Sequence, residues 1–109
     1  MIKKMYSHRA HAKRRLMERY GLLLNREGYL ELRELVRRSH GRLIVRDGKT
    51  TIWRVPYQGR ELLTIYNGST HEIVTFLPPE LTDEEIIGHV ELKNSLTPIH
   101  QGHPQELLS

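Results

Sequence analysis

The chain has 109 residues, 28% of them charged and 38% hydrophobic, with no cysteine. That length supports one core and not two, and the absence of thiols excludes disulfides, thiol catalysis and thiolate zinc sites. The formal charge of +4 conceals an asymmetry: residues 1–66 hold sixteen Lys or Arg against six acids, net +10, while residues 67–109 hold one Lys against seven acids, net −6.

A surface as basic as the first part suits a polyanion. The opening MIKKMYSH has no apolar run behind its lysines, so no secretory signal is expected. No stretch approaches a membrane span, and the expected location is cytoplasmic.

The first element, SHRAHAKRRLMERYG, is expected to be a helix capped by Ser7 and stopped by Gly21. At a helical period Ala12, Leu16 and Tyr20 form the apolar stripe. Beside them His8, His11, Arg15 and Arg19 share a face, with Lys4 in register behind. A solvated basic face is the plain reading of such a stripe, but the two histidines and the single acid, Glu18, favour an anion in front of it.

Asn25 is placed to cap a second helix reaching about Ser39, with Tyr29, Leu32 and Val36 inward, mild weakness at Gly28, and Gly41 ending it. Arg33, Arg37 and Arg38 sit in its last half, where the helix dipole alone accounts for them. From Arg42 the period changes to two. RLIVR, KTTIWRVPY, RELLTIY and THEIVTFLP, separated by Asp47-Gly48, Gln58-Gly59 and Asn67-Gly68, predict a four-stranded antiparallel meander with tight turns. Pro56 marks an end, bulge or edge of the second strand.

Strands three and four are apolar on both faces, so alternation does not say which face the helices cover. The other face is expected to be the more polar, a groove beside the basic helix. Thr82-x-x-Glu85 is a capping box for a short helix from about Asp83 to His89. Irregular, poorly ordered chain is expected after Leu92. The expected architecture is therefore α+β: two N-terminal helices on a four-stranded meander, residues 1–79, followed by an acidic extension, residues 80–109, with a short helix and a flexible tail.

Among chemistries, metal catalysis has little support. His8 and His11 have metal-ligand spacing but no HExxH and no carboxylate beside them, and their neighbours are cations. His100-x-x-His103 is weaker still, and no cofactor is expected. Serine-nucleophile and phosphate-loop motifs are absent.

Cleavage of RNA without a metal fits what is present. The 2′-hydroxyl is the nucleophile, so the protein supplies a base, an acid and cations for the phosphorane. The expected catalytic set is His8, His11, Arg15, Arg19, His71 and Thr75. Lys4, Arg14, Arg54, Tyr66 and Trp53 are expected to hold RNA, Trp53 by stacking. Each has a plain alternative: His71 as a cross-strand neighbour, Thr75 as a strand residue, Tyr66 and Trp53 as core.

The stretch HAKRRLMERYG, together with Leu63-Thr64-Ile65-Tyr66-Asn67 and His71-Glu72-Ile73-Val74-Thr75-Phe76-Leu77-Pro78, resembles the barnase, colicin D and RelE-like ribonuclease toxin superfamily over roughly residues 6–79. The resemblance implies a helix–helix–meander fold and a metal-independent endoribonuclease acting on transfer or messenger RNA. It places His11, Arg15, Glu18 and Arg19 in the helix motif and Tyr66 and Thr75 in the strand motif. Asn67 stands where an acid is common in that group.

Two other readings use the same basic face: a non-enzymatic nucleic-acid binder or phage host-takeover factor, and a protein-binding module for an acidic partner. RNA is the expected partner in the first two, with an antitoxin or host protein as the candidate protein partner and no membrane.

Overall fold

The computed structural model describes residues 2–96, with side chains from residue 9 to residue 94. Helix α1 spans Ile2–Tyr20. It begins well before Ser7, because nothing in the preceding residues interrupts a helix and their lysines and methionine are good helix formers. Its end is as expected: Gly21 takes φ +67°, and its N–H returns to the Met17 carbonyl at 3.0 Å. Ala12, Leu16 and Tyr20 are buried.

Helix α2 spans Arg26–Arg37, and Asn25 caps it by accepting the Gly28 N–H at 2.7 Å. The left-handed residue that ends it is Ser39, φ 58°, two residues before the glycine expected to do so. The His40 N–H then reaches back to the Leu35 carbonyl at 2.8 Å, closing the orphaned last turn.

Strands β1 (Arg42–Asp47), β2 (Thr50–Tyr57), β3 (Arg60–Asn67) and β4 (Glu72–Phe76) form one antiparallel sheet in the order β1-β2-β3-β4. The β2–β3 loop is Gln58-Gly59, both at positive φ (50° and 78°), which suits the right-handed twist of a two-residue hairpin. Pro56 pairs with Glu61 of β3, but the β1 pairing stops at Arg54. Its missing donor therefore faces an unpaired edge.

The third turn departs from expectation. Thr70 and its neighbours form a four-residue loop from Gly68 to His71, and the pairing resumes at Asn67↔Glu72. Asn67 Oδ1 accepts from the Ser69 N–H at 2.8 Å and the Thr70 N–H at 3.2 Å, an Asx turn in place of a tight one.

Helices α1 and α2 cover one sheet face, closing a core of Leu16, Leu32, Trp53, Val55, Leu62 and Phe76 with their neighbours. The opposite face is not an open polar groove. Helix α3, Asp83–Leu96, lies across it, burying Ile86 and Val90 against Ile52, Leu63, Ile65 and Leu77. The capping box forms as expected, with Glu85 N–H to Thr82 Oγ1 at 3.1 Å and Thr82 N–H to Glu85 Oε1 at 3.0 Å.

The helix outruns His89 and so carries Val90, one turn beyond Ile86, onto the same sheet face. Both ends are tied down. Asp83 holds Arg42 and Arg54 at 2.6 and 2.8 Å, and Lys93 Nζ lies 2.6 Å from Asp47 Oδ2. The chain expected to be irregular after Leu92 is helical as far as Leu96, and the rest of that segment lies outside the described residues.

Candidate functional site

The β3–β4 loop builds the most distinctive site. Its last residue, His71, sits at φ +60°, a conformation that costs a non-glycine residue about 1–2 kcal/mol. This turns the imidazole back over β3, where Nδ1 meets the Tyr66 hydroxyl at 3.2 Å. The two ring centroids are 6.5 Å apart with planes tilted by 54°. With Nδ1–H donating to the phenol oxygen, a neutral imidazole leaves the Nε2 lone pair free to accept a proton.

Tyr66 is buried and rests on Thr51, which also takes the Trp53 Nε1–H at 2.8 Å. Burial pushes the phenol above its ordinary pKa, opposed by the Arg37 and Arg33 guanidiniums and reinforced by Glu34. The hydroxyl therefore stays protonated through the neutral range, and its oxygen can accept the hydrogen bond from Nδ1–H. Arg33 and Arg37 are one turn apart on α2, on the side facing this pair.

A second tyrosine adjoins it. The Tyr29 hydroxyl accepts the Ile73 N–H at 3.2 Å, and the Arg9 guanidinium carbon lies 5.3 Å from the centre of its ring. Its pKa is raised by burial, opposed by the hydrogen bond from Ile73, with Glu72 raising it and Arg33 and Arg9 lowering it. Three cations from two helices, Arg9, Arg33 and Arg37, thus converge with His71 around two buried phenols.

The residues expected from sequence divide into groups. Tyr66 and His71 come together. His11, half-buried, Arg15 and Arg19 share one flank of α1, but Arg15 Nη1 pairs with Glu18 Oε1 at 2.9 Å, and Arg19 Nη1 donates to the Phe76 carbonyl at 2.8 Å. Arg14 is exposed on the other side of the helix. Lys4 and His8 lie on α1, with side chains outside the described residues.

Three expected site residues occupy structural positions. Thr75 is enclosed at 1% exposure, and its hydroxyl has no hydrogen-bond partner. Trp53 is buried in the core, with no ring face presented for stacking. Arg54 lies on the sheet face beneath α3, bonded to Asp83 and, at 3.1 Å, to the Leu81 carbonyl. Asn67, where an acid is common in the resembled group, shapes the loop through one oxygen that Asp would equally supply.

Arg9, Arg33 and Tyr29 were not legible as site residues. The i, i+4 spacing of Arg33 and Arg37 was the available signal, and the helix dipole accounted for it equally well. Among the described residues no group of three His, Asp or Glu side chains is placed to hold a metal ion, and no helix is long and apolar enough to cross a membrane. Compared with family models, curated proteins and solved structures, the chain matches none. The likeness to ribonuclease toxins rests on the motif residues alone.

Proposed function

We propose that this protein is a metal-independent endoribonuclease of toxin type, acting on transfer or messenger RNA in the cytoplasm. The observation that carries the reading is the Tyr66 hydroxyl 3.2 Å from His71 Nδ1, a phenol–imidazole pair bordered by arginines. In this reading the imidazole of His71 takes the 2′-hydroxyl proton. The 2′-oxygen forms its bond to phosphorus as the P–O5′ bond breaks and the 5′-oxygen takes a proton from water, giving a 2′,3′-cyclic phosphate and a 5′-hydroxyl.

Tyr66 holds the imidazole ring and its tautomer. Arg33 and Arg37 neutralise the charge that grows on the phosphorane oxygens, where guanidinium geometry suits phosphate. His11 and Arg15, on the neighbouring flank of α1, extend the basic track for the strand.

The test is incubation with total bacterial RNA in EDTA, with fragment ends analysed. Expected are discrete fragments ending in 2′,3′-cyclic phosphate, formed about 100-fold more slowly by His71→Ala, the scale of general acid–base catalysis. Cleavage by His71→Ala at the parent rate removes this site assignment.

A second reading, a non-enzymatic RNA binder or host-takeover factor, is favoured by the internal partners that Arg15 and Arg19 already have. It requires salt-sensitive binding of RNA with no product from folded protein.

A further inference from the structure

The flank of α1 opposite Arg15 and Arg19 carries a different kind of surface. Lys13 and Met17 lie one turn apart there, and the loop that follows the helix comes up beside them. In the run Leu22-Leu23-Leu24, Leu24 is buried at 4% and Leu22 packs on the core, but Leu23 is 80% exposed and Met17 is 42% exposed. With Lys13, Arg14, Leu24 and Asn25 they border an open groove of about 400 Å³.

We propose that this groove docks an acidic amphipathic helix of a partner protein. Apolar side chains of that helix would cover Met17 and Leu23, and its carboxylates would meet Lys13 and Arg14. The lining holds two cations and no acid, so the complementary charge is negative. Its centre is aliphatic and carries no aromatic ring. Nucleic-acid surfaces stack bases on aromatic rings, whereas an apolar centre inside a polar rim is the anatomy of a protein interface.

Met17 adds an unbranched, adaptable side chain of the kind that helix-binding grooves use. Folding does not account for Leu23, since its neighbours Leu22 and Leu24 already supply the core contacts of the loop. The groove is on the opposite flank of α1 from the His11, Arg15 and Arg19 stripe. The inference therefore stands whether or not the chain cuts RNA.

The experiment titrates the full chain into two labelled synthetic helical peptides, one with leucine on one face and glutamate on the other, the second with lysine in place of glutamate. Fluorescence anisotropy is expected to show binding of the glutamate peptide only, weaker at high salt. Leu23→Ser and the pair Lys13→Glu with Arg14→Glu should each weaken it at least about tenfold at unchanged thermal stability, while Arg33→Ala leaves it unchanged.

Absence of binding, equal affinity for the two peptides, or full affinity in Leu23→Ser overturns the proposal. Self-association that Leu23→Ser abolishes would overturn it in favour of a second copy of the chain. Displacement of the glutamate peptide by an oligouridylate would overturn it in favour of RNA.

Discussion

Arg54 of β2 donates its Nε hydrogen to Oδ1 of Asp83 at 2.8 Å, with only 15% of the arginine side chain and 27% of the aspartate exposed. The bond fastens the first turn of α3 to the sheet face that carries Ile52, Leu63 and Ile65. Arg42, the cross-strand neighbour of Arg54, binds the other oxygen of the same carboxylate. One acid thus bridges two adjacent arginines, and the acidic segment of the chain places this charge against the sheet.

Asp83→Asn is expected to lower stability by about 1–2 kcal/mol, because it removes the charge that Arg54 keeps in a half-dry setting. The bonds from Arg42 and then Arg54 hold the Asp83 carboxyl below its ordinary pKa of 3.8. A carboxyl lowered by folding adds stability above its unfolded value, and that stability disappears as pH falls through the folded value. The difference in urea midpoint between parent and Asp83→Asn should therefore narrow below about pH 4. A difference that stays constant from neutral pH to pH 3 would show that the charge is not what matters.

Thr75→Val is expected to leave stability unchanged or raise it by about 1 kcal/mol. The hydroxyl is buried with no partner, so folding now carries its desolvation cost. Urea denaturation measures the change. RNA cleavage by this variant at the parent rate would also confine Thr75 to the core, and a loss of cleavage in a folded variant would return it to the site.

Gly28→Ala normally strengthens a helix by up to about 1 kcal/mol. Here a Cβ would stand 2.7 Å from the Tyr57 hydroxyl and 3.2 Å from Asn25 Oδ1, the cap oxygen. The variant is expected to be less stable than the parent, and the loss should be smaller when Tyr57→Phe removes the obstructing oxygen. Equal losses in both backgrounds, measured as a double-mutant cycle, would place the cost at the cap and not at Tyr57.

His71→Gly separates strain from chemistry. Glycine adopts φ +60° freely, so this variant is expected to gain about 1 kcal/mol while losing the Tyr66 contact. In RNA cleavage it should be as defective as His71→Ala, although His71→Ala is the less stable of the two. Destabilisation by glycine would mean that the Tyr66–His71 contact outweighs the backbone strain.

Local features were legible from the residues because their causes lie within a few positions. Asn25 capping Gly28, the Thr82–Glu85 box, Gly21 ending α1 and the Gln58-Gly59 hairpin each involve partners one turn or less apart. The inward stripes of α1 and α2 followed from period alone.

Ser7 was misleading for the same local reason: a good cap residue does not start a helix when nothing before it ends one. The length of α3 was underestimated because its last turns are held by packing on the sheet, which no nearby residue announces.

By itself, then, the sequence determined the order and kind of the elements, the antiparallel meander and the basic first half, since these depend on short-range chemistry and on charge. Tertiary structure alone decided which sheet face each apolar set of β3 serves, because Leu62 and Leu63 are equally apolar and alternation has no sign. It sent Arg54 under α3, enclosed Trp53 and Thr75, and brought Arg9, Tyr29, Arg33, Tyr66 and His71 together from two helices, a strand and a loop. Apart from the Tyr66–His71 pair, those contacts join segments tens of positions apart, and the packing of the helices on the sheet sets their distances.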